Sequence, residues 1–262
     1  MRIYQFSQQG KRSHQEDSLL VDLERHSIFI VCDGVGGNSN GKMASEITIE
    51  YFSMSLLTSS SNPISKEEII SFFYKAGDNL INAINLHPES EGMATTVALA
   101  WFTPKDLVIS HLGDSRVYVI KPSTNSYWRT KDHSLVQELY DAGIIKSEAD
   151  MQSHPMKNRI TGAITSSPRS DVTDPSISRF DDLDPGDMIM LCSDGVLEAF
   201  PNQEFIRILM DETLSLEEKG KKIQEECELK STDNNTCIIL QIEDGEGYAS
   251  GSNVGIEFRK LG

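Results

Sequence analysis

Cysteine is scarce and unpatterned in this chain: there are four, Cys32, Cys192, Cys227 and Cys237, and no C-x-x-C pair among them. Three of them lie within apolar, strand-like runs, so they read as buried free thiols of a reducing compartment. No apolar run approaches the roughly 20 residues that a membrane-spanning helix requires. The opening "MRIYQFSQQGKRSHQED" turns polar too soon for a signal peptide, and a cytoplasmic protein is expected. Positive charge is also in deficit, with 24 Lys and Arg against 40 Asp and Glu, a net charge of −16. Such a balance repels nucleic acid and anionic membranes and suits cationic partners, bound divalent cations among them. Solenoid repeats are lacking, as is the regular strand-helix alternation of a doubly wound parallel fold.

What is present is enough chain, 262 residues, to bury a sizeable core as one large domain or two small ones. Apolar runs bounded by turn residues predict strands at Ile3 to Ser7, Ser18 to Leu23, Ile28 to Cys32, Thr96 to Phe102, Leu107 to Leu112, Arg116 to Lys121, Ser176 to Phe180, Met188 to Cys192 and Thr236 to Ile242. Helical spacing appears in Ala44 to Leu57, Lys66 to Leu86 and Ser215 to Leu229. This order suits antiparallel sheets with helices packed outside them. Thr58 to Ser65 reads as a polar joint between helices, with Ser65 as an N-cap. The stretch from about 130 to 175 holds one short helix, "SLVQELYDAG", and loops of such length often serve as lids. The tail "GEGYASGSNVGIEFRKLG" is rich in Gly and Ser, a composition that goes with partial disorder.

Carboxylates recur where apolar strands end. "IFIVCDGVGG" carries Asp33, "MIMLCSDGV" Asp194 and "VISHLGDSR" Asp114, while "STDNNTCIIL" places Asp233 just ahead of the last strand. Upstream, "RSHQED" adds Arg12, Glu16 and Asp17. A lone Asp-Gly is an ordinary turn. A carboxylate at the end of a buried strand, however, costs desolvation energy unless it is paired or binds metal, and several together ask for cations. An oxygen-rich set without useful His or Cys spacing suits Mg²⁺ or Mn²⁺ rather than zinc.

These pieces fall in the order of a known family. "RSHQEDS", "VCDGVGG", "GKMASE", "MATTVALAWF", "ISHLGDSRVYVI", "TKDHSLVQELYDAGII", "HPMKNRITGAI", "GDMIMLCSDGVLEAF" and "DNNTCIILQI" are each weak alone but specific as an ordered set. The sequence resembles the metal-dependent PP2C (PPM) family of protein serine/threonine phosphatases, bacterial type, over about Ile3 to Ile242. The resemblance implies an α+β fold, an α-β-β-α sandwich of two antiparallel sheets flanked by helices, in a domain over 1–243 with a flap at about 130–175 and a tail over 244–262. It implies Mn²⁺ or Mg²⁺ as cofactor, two ions and a third. Asp33 would bridge two ions about 3.5 to 4 Å apart that share an activated water, which attacks phosphorus directly. The Gly34 carbonyl would ligate one ion, and Asp194 and Asp233 would complete the second. Asp17 would hold a metal directly or through water, and Asp114 with Asp194 would form the additional site. Arg12 matches the phosphate-binding arginine, whose planar fork grips two oxygens.

Two departures stand out. Some members carry His directly after the bridging "DG", where this chain has Val35, which removes the obvious general acid; a metal-bound water or His14 is left to donate the proton. In "NRITGAITSSP", Gly162, Ile164 and Thr165 replace the residues more usual near the family's substrate entrance, which bears on specificity. His111 and His133 read as hydrogen-bonded structural residues. By resemblance the partners are phosphoproteins made by a Ser/Thr kinase, with neither nucleic acid nor membrane, and the chain is a monomer.

Two rival readings remain. "GGNSNGKM" satisfies the G-x-x-x-x-G-K of a nucleotide-hydrolase P-loop, but Met43 stands where Mg²⁺ needs a hydroxyl. A catalytically inactive, phosphoprotein-binding member would usually have lost a metal acid, and Asp33, Asp114, Asp194 and Asp233 are all present. The enzyme reading predicts phosphate release from a phosphopeptide or an aryl phosphate with Mn²⁺, abolished by EDTA. A folded protein inactive in every divalent metal would sink it.

Overall fold

The computed structural model describes the chain apart from residues 23, 25–26, 37–38, 58–63, 167–172, 202, 246–255 and 262 and the side chains of Ser39 and Leu57. Its strands pair antiparallel, and the central ones of each large sheet are buried on both faces, which is why these read as continuous apolar runs rather than alternating ones. The strands are β1 (Arg2–Gln8), β2 (Ser18–Val21), β3 (Ile28–Cys32), β4 (Gly34–Val35), β5 (Ala94–Thr95), β6 (Val97–Phe102) and β7 (Leu107–Leu112). The series continues with β8 (Arg116–Lys121), β9 (Ser126–Arg129), β10 (Ile164–Thr165), β11 (Ser176–Phe180), β12 (Met188–Cys192), β13 (Asn235–Gln241) and β14 (Arg259–Lys260). The helices are α1 (Ser39–Leu57), α2 (Lys66–Leu86), α3 (Leu135–Asp141), α4 (Glu148–Ser153), α5 (Asp194–Ala199), α6 (Phe205–Met210) and α7 (Leu216–Lys230).

One sheet runs β11-β7-β6-β3-β2 and the other β1-β13-β12-β8-β9-β14. A small third sheet, β10-β5-β4, joins the segment carrying Ile164 and Thr165 to Gly34 and Val35. Period-two alternation sorts each strand's side chains between two layers. Ile28, Ile30 and Cys32 face α1 and α2, meeting Phe52, Phe73 and Leu80. Phe29 and Val31 point the other way, against Val117, Val119, Ile189, Leu191, Ile238 and Leu240 of the second sheet. That sheet's outer face carries Tyr118, Met190 and Ile239 against Phe205, Leu209 and Ile223 of α6 and α7. The result is the α-β-β-α sandwich.

The long strands and the three long helices fall where the apolar pattern places them. Helix α1 begins at Ser39 rather than Ala44, since its first turn carries no apolar residue before Met43. Ser65 caps α2 as expected, in a reciprocal capping box with Glu68; the rest of the polar joint, 58–63, lies outside the described residues. All four cysteines are free and buried. The flap stretch holds α4 as well as α3, around a small core of Val136, Ile145 and Met151. Strand β14 was not marked by its sequence; two residues long, it pairs with β9 through Arg259↔Tyr127 and Lys260↔Ser126. Among the described residues no helix is long and apolar enough to cross a membrane.

Replacing Ser65 by Ala removes the acceptor for the Glu68 amide and is expected to cost about 1 kcal/mol, read as a lower urea midpoint with unchanged m-value.

Candidate active site

The acids singled out above come from both sheets and meet at one end of the sandwich. Asp33 follows β3, Asp114 follows β7, Asp194 opens α5 directly after β12, and Asp233 precedes β13. Hydroxyl residues beside the acids hold their backbones. The Asp33 carbonyl accepts from Thr96 N at 2.9 Å and from Thr95 Oγ1 at 2.9 Å, and Asp33 N donates to Thr96 Oγ1 at 3.0 Å. Thr96 Oγ1 is in turn 2.7 Å from Ser115 Oγ, tying the Asp33 turn to the Asp114 turn. Asp17 is 1% exposed; its Oδ2 accepts from Ser193 Oγ at 2.8 Å.

Two glycines have steric reasons. A Cβ at Gly34 would lie 2.1 Å from the Gly41 carbonyl oxygen, so the first constraint there is close approach by α1. A Cβ at Gly195 would lie 2.0 Å from the Asn234 carbonyl oxygen, so the start of α5 can pack on the Asp233 loop only with glycine after Asp194.

Arg12 stands at the mouth, its side chain 59% exposed, with Nη2 2.5 Å from Asp233 Oδ2. Its loop is tied to the start of β13 by Asn234, which accepts from Glu16 N at 2.8 Å and donates to the carbonyls of Gln9 at 2.8 Å and His14 at 2.9 Å. Glu198 fixes the Asp233 loop, accepting from Thr232 N at 2.8 Å, Thr232 Oγ1 at 2.7 Å, Asp233 N at 3.2 Å and Ser231 Oγ at 3.2 Å. These organising residues, Thr95, Thr96, Ser115, Ser193, Glu198 and Asn234, were missed by sequence reasoning. The available signal was the run of hydroxyl and amide residues flanking each acid.

Burial and mutual repulsion shape the acids' protonation. Burial, then the Asp17 and Asp194 charges, push Asp33 well above the usual carboxylate range. Burial and then Asp194 do the same to Asp114. Asp17 is raised to about 7 by burial, with Ser193 and Thr236 opposing. Asp194 is raised to about 6 by burial and by Asp233, while a hydrogen bond from Asp33 opposes the rise. Folding therefore gathers charge that it does not neutralise by itself.

Among the described residues no three His, Cys, Asp or Glu side chains close into a ready-made metal cage. The donors nonetheless fit a hard cation: all are oxygens, and Asp17 Oδ1 is buried without a hydrogen-bond partner.

The remaining candidates sort themselves. Val35 is 40% exposed beside Asp33, and His14 is exposed. His111 and His133 are stacked, centroids 4.7 Å apart; His111 Nε2 meets the Lys131 carbonyl at 2.6 Å, and His133 Nδ1 accepts from Gly113 N at 3.1 Å. Both are structural, as expected. Lys42 of the apparent P-loop donates to the Asp17 carbonyl at 2.9 Å and to Ser18 Oγ at 3.1 Å, so it braces the site from outside; Gly37 and Asn38 lie outside the described residues.

Fold and site together define a hydrolase of the two-sheet sandwich class with an acid-lined centre. The profile described as Protein phosphatase 2C matches residues 6–231. The chain belongs to the protein phosphatase 2C family. It is 31% identical over 238 residues to the serine/threonine phosphatase stp of Listeria innocua, covering 88% of this chain and 91% of that protein. The structure of the serine/threonine phosphatase Stp1 from Staphylococcus aureus matches with TM-score 0.77 and 27% identity, over 92% of this chain and 94% of that one. The catalytic domain of the phosphatase PstP in complex with two manganese ions shares the fold, with TM-score 0.76 and 23% identity over 93% of this chain and 98% of that one.

The raised acids give the metal-free protein a definite pH signature. Because folding raises Asp17 and Asp194 above 3.8, their stabilising contribution is complete below about pH 4 and is lost as pH rises through about 6 and 7. His111 has the opposite sign: lowered from 6.5 to about 4 by burial and by His133, it loses its contribution as pH falls below 6.5. Two acids losing stability outweigh one histidine gaining it, so in chelator these groups are expected to make the melting temperature fall as pH rises from about 4 to 7. Mn²⁺ should raise it more at pH 8 than at pH 5, by several degrees at about 2 to 4 °C per kcal/mol; an equal gain at both would contradict the charged cluster.

Proposed function

We propose that this chain hydrolyses phosphoserine and phosphothreonine in proteins, dependent on Mn²⁺ or Mg²⁺. The observation that carries the reading is one cleft lined by Asp114, Asp194 and Asp233 with Arg12 at its mouth, beside the turn of Asp33 and the buried Asp17. Asp33, the Gly34 carbonyl, Asp194 and Asp233 would hold two ions, with Asp17 in direct or water-mediated contact. A third ion would lie between Asp114 and Asp194, supported by the repulsion that couples them. Divalent cations bound there supply an activated water and neutralise charge on the phosphoryl oxygens.

The chain's own residues do the rest. Arg12 reaches into solvent and grips the phosphate, while Asn234 and Glu198 hold its loop and the Asp233 loop in place. Burial pushes the Cys32 and Cys192 thiols up, so neither serves as a thiolate nucleophile. That favours direct attack by water over a phosphocysteine route. Val35 contributes no proton, and exposed His14 is the candidate side chain that the sequence offers for protonating the leaving group. The substrates would be products of a Ser/Thr kinase, and the protein a cytoplasmic monomer whose catalytic domain spans 1–243.

Asp33→Asn and Asp194→Asn are expected to lose nearly all turnover, and Arg12→Ala to raise KM with a smaller effect on kcat. Phosphate release from a phosphopeptide with Mn²⁺ checks both; wild-type turnover in Asp33→Asn would overturn the site.

A further inference from the structure

Helix α4 is six residues long, too short to hold its position by helical propensity. It nevertheless helps wall a cleft of about 390 Å³ that reaches Arg12, Asp114, Asp194 and Asp233, its Glu148, Met151 and Gln152 lining it together with Gly195, Leu197 and Phe200. Met151 anchors the helix in the small flap core, and Gln152 Nε2 donates to the Pro201 carbonyl across the cleft. At the helix's other end stands Glu148, and its partners come from elsewhere. Arg259 Nη1 lies 2.5 Å from Glu148 Oε1, and Arg129 Nη2 lies 3.4 Å from the same oxygen.

Arg259 is itself firmly placed. It lies on β14 opposite Tyr127, in the strand from which the chain enters the flap. Phe258 packs edge-on against Phe180 at 6.2 Å, with Lys121 Nζ 5.7 Å over its ring. Lys260 Nζ donates to the Thr124 carbonyl at 2.6 Å, and Leu261 N to the Asn125 carbonyl at 3.2 Å. Behind Glu148, Arg129 lies 4.0 Å from Asp132, which Arg116 grips at 2.6 Å and 2.7 Å. A line of alternating charges thus runs from the C-terminal strand, through the flap helix, to Arg116, two residues beyond Asp114. Strand β14 also lies outside the residues matched by the family profile, 6–231.

We propose that the C-terminal strand is a clasp for the flap: Arg259 acts through Glu148 as a positioning residue that holds α4 against the cleft and so sets affinity for protein substrates without entering the chemistry. A phosphorylated protein has to lay the chain flanking its phosphoresidue along the wall that α4 forms. A small aryl phosphate needs only the Arg12 and carboxylate end. The kinetic part of this inference rests on the phosphatase reading above; the positional part does not.

The test uses the full chain as wild type, Arg259→Gln and Arg259→Lys. Hydrogen exchange is followed at the α4 amides, and KM is measured for phosphorylated casein and for p-nitrophenyl phosphate. An ion pair this exposed predicts about two- to fivefold effects. Arg259→Gln should speed α4 exchange and raise KM for casein by such factors, with kcat and the aryl phosphate kinetics unchanged, and Arg259→Lys should restore part of both. Screening with about 0.5 M NaCl should speed α4 exchange in the wild type in the same sense. Unchanged α4 exchange in folded Arg259→Gln would overturn the clasp, and so would a KM change equal for both substrates. If neither substrate is hydrolysed by any form, the phosphatase reading fails, and the exchange result alone decides the clasp.

Discussion

Electrostatic repulsion among carboxylates gathered at one end of a dry two-sheet core is the constraint on which the rest of this structure turns. Asp17, Asp33, Asp114 and Asp194 are each pushed toward their protonated forms, burial first and neighbouring acids next. A fold that served stability alone would not collect these groups. Their cost is contained by threonine, serine, asparagine and glutamate residues that hold the loops rather than neutralise the acids. Neutralisation is left to protons or to cations, which is the property a metal-dependent hydrolase needs. The chain's overall charge of −16 adds long-range attraction for those cations and works against anionic surfaces.

The two sheets contribute unequally but jointly. Asp33 and Asp114 leave strands of one sheet, Asp194 and Asp233 flank strands of the other, and the apolar layer containing Phe29, Val31, Ile189 and Ile238 sets the distance between them. Packing in that layer is therefore part of the chemistry, although none of its residues could touch a substrate. Close approach of backbones completes the alignment, α1 at Gly34 and the Asp233 loop at Gly195. Helix α4 adds a wall beside the acids, and its Glu148 is held by Arg259 and Arg129 from distant parts of the chain.

Much of this was legible before any coordinates. The long strands were visible because sheets covered on both faces require continuous apolar runs, and α2 because its cap and its spacing agree. The acids stood out because a charge at the end of such a run is costly. Less legible were the two-residue strands and β14, which are too short for any periodicity, and α4 to α6, whose six residues hardly exceed one turn. Glu198 carried no mark in the sequence, yet it organises the Asp233 loop; Lys42 lies in the stretch that satisfies the P-loop pattern, yet it braces the Asp17 backbone.

The sequence by itself determined the layer order, the identity of the acids and the family, because periodicity, charge and ordered motifs are local properties that survive without contacts. Only the tertiary structure decided which hydroxyls and amides hold those acids, why glycine stands at 34 and 195, and where the C-terminal residues pack. Those answers depend on groups far apart in sequence, 225 residues between Gln9 and Asn234, and on distances set when two sheets pack face to face. No one-dimensional pattern encodes them.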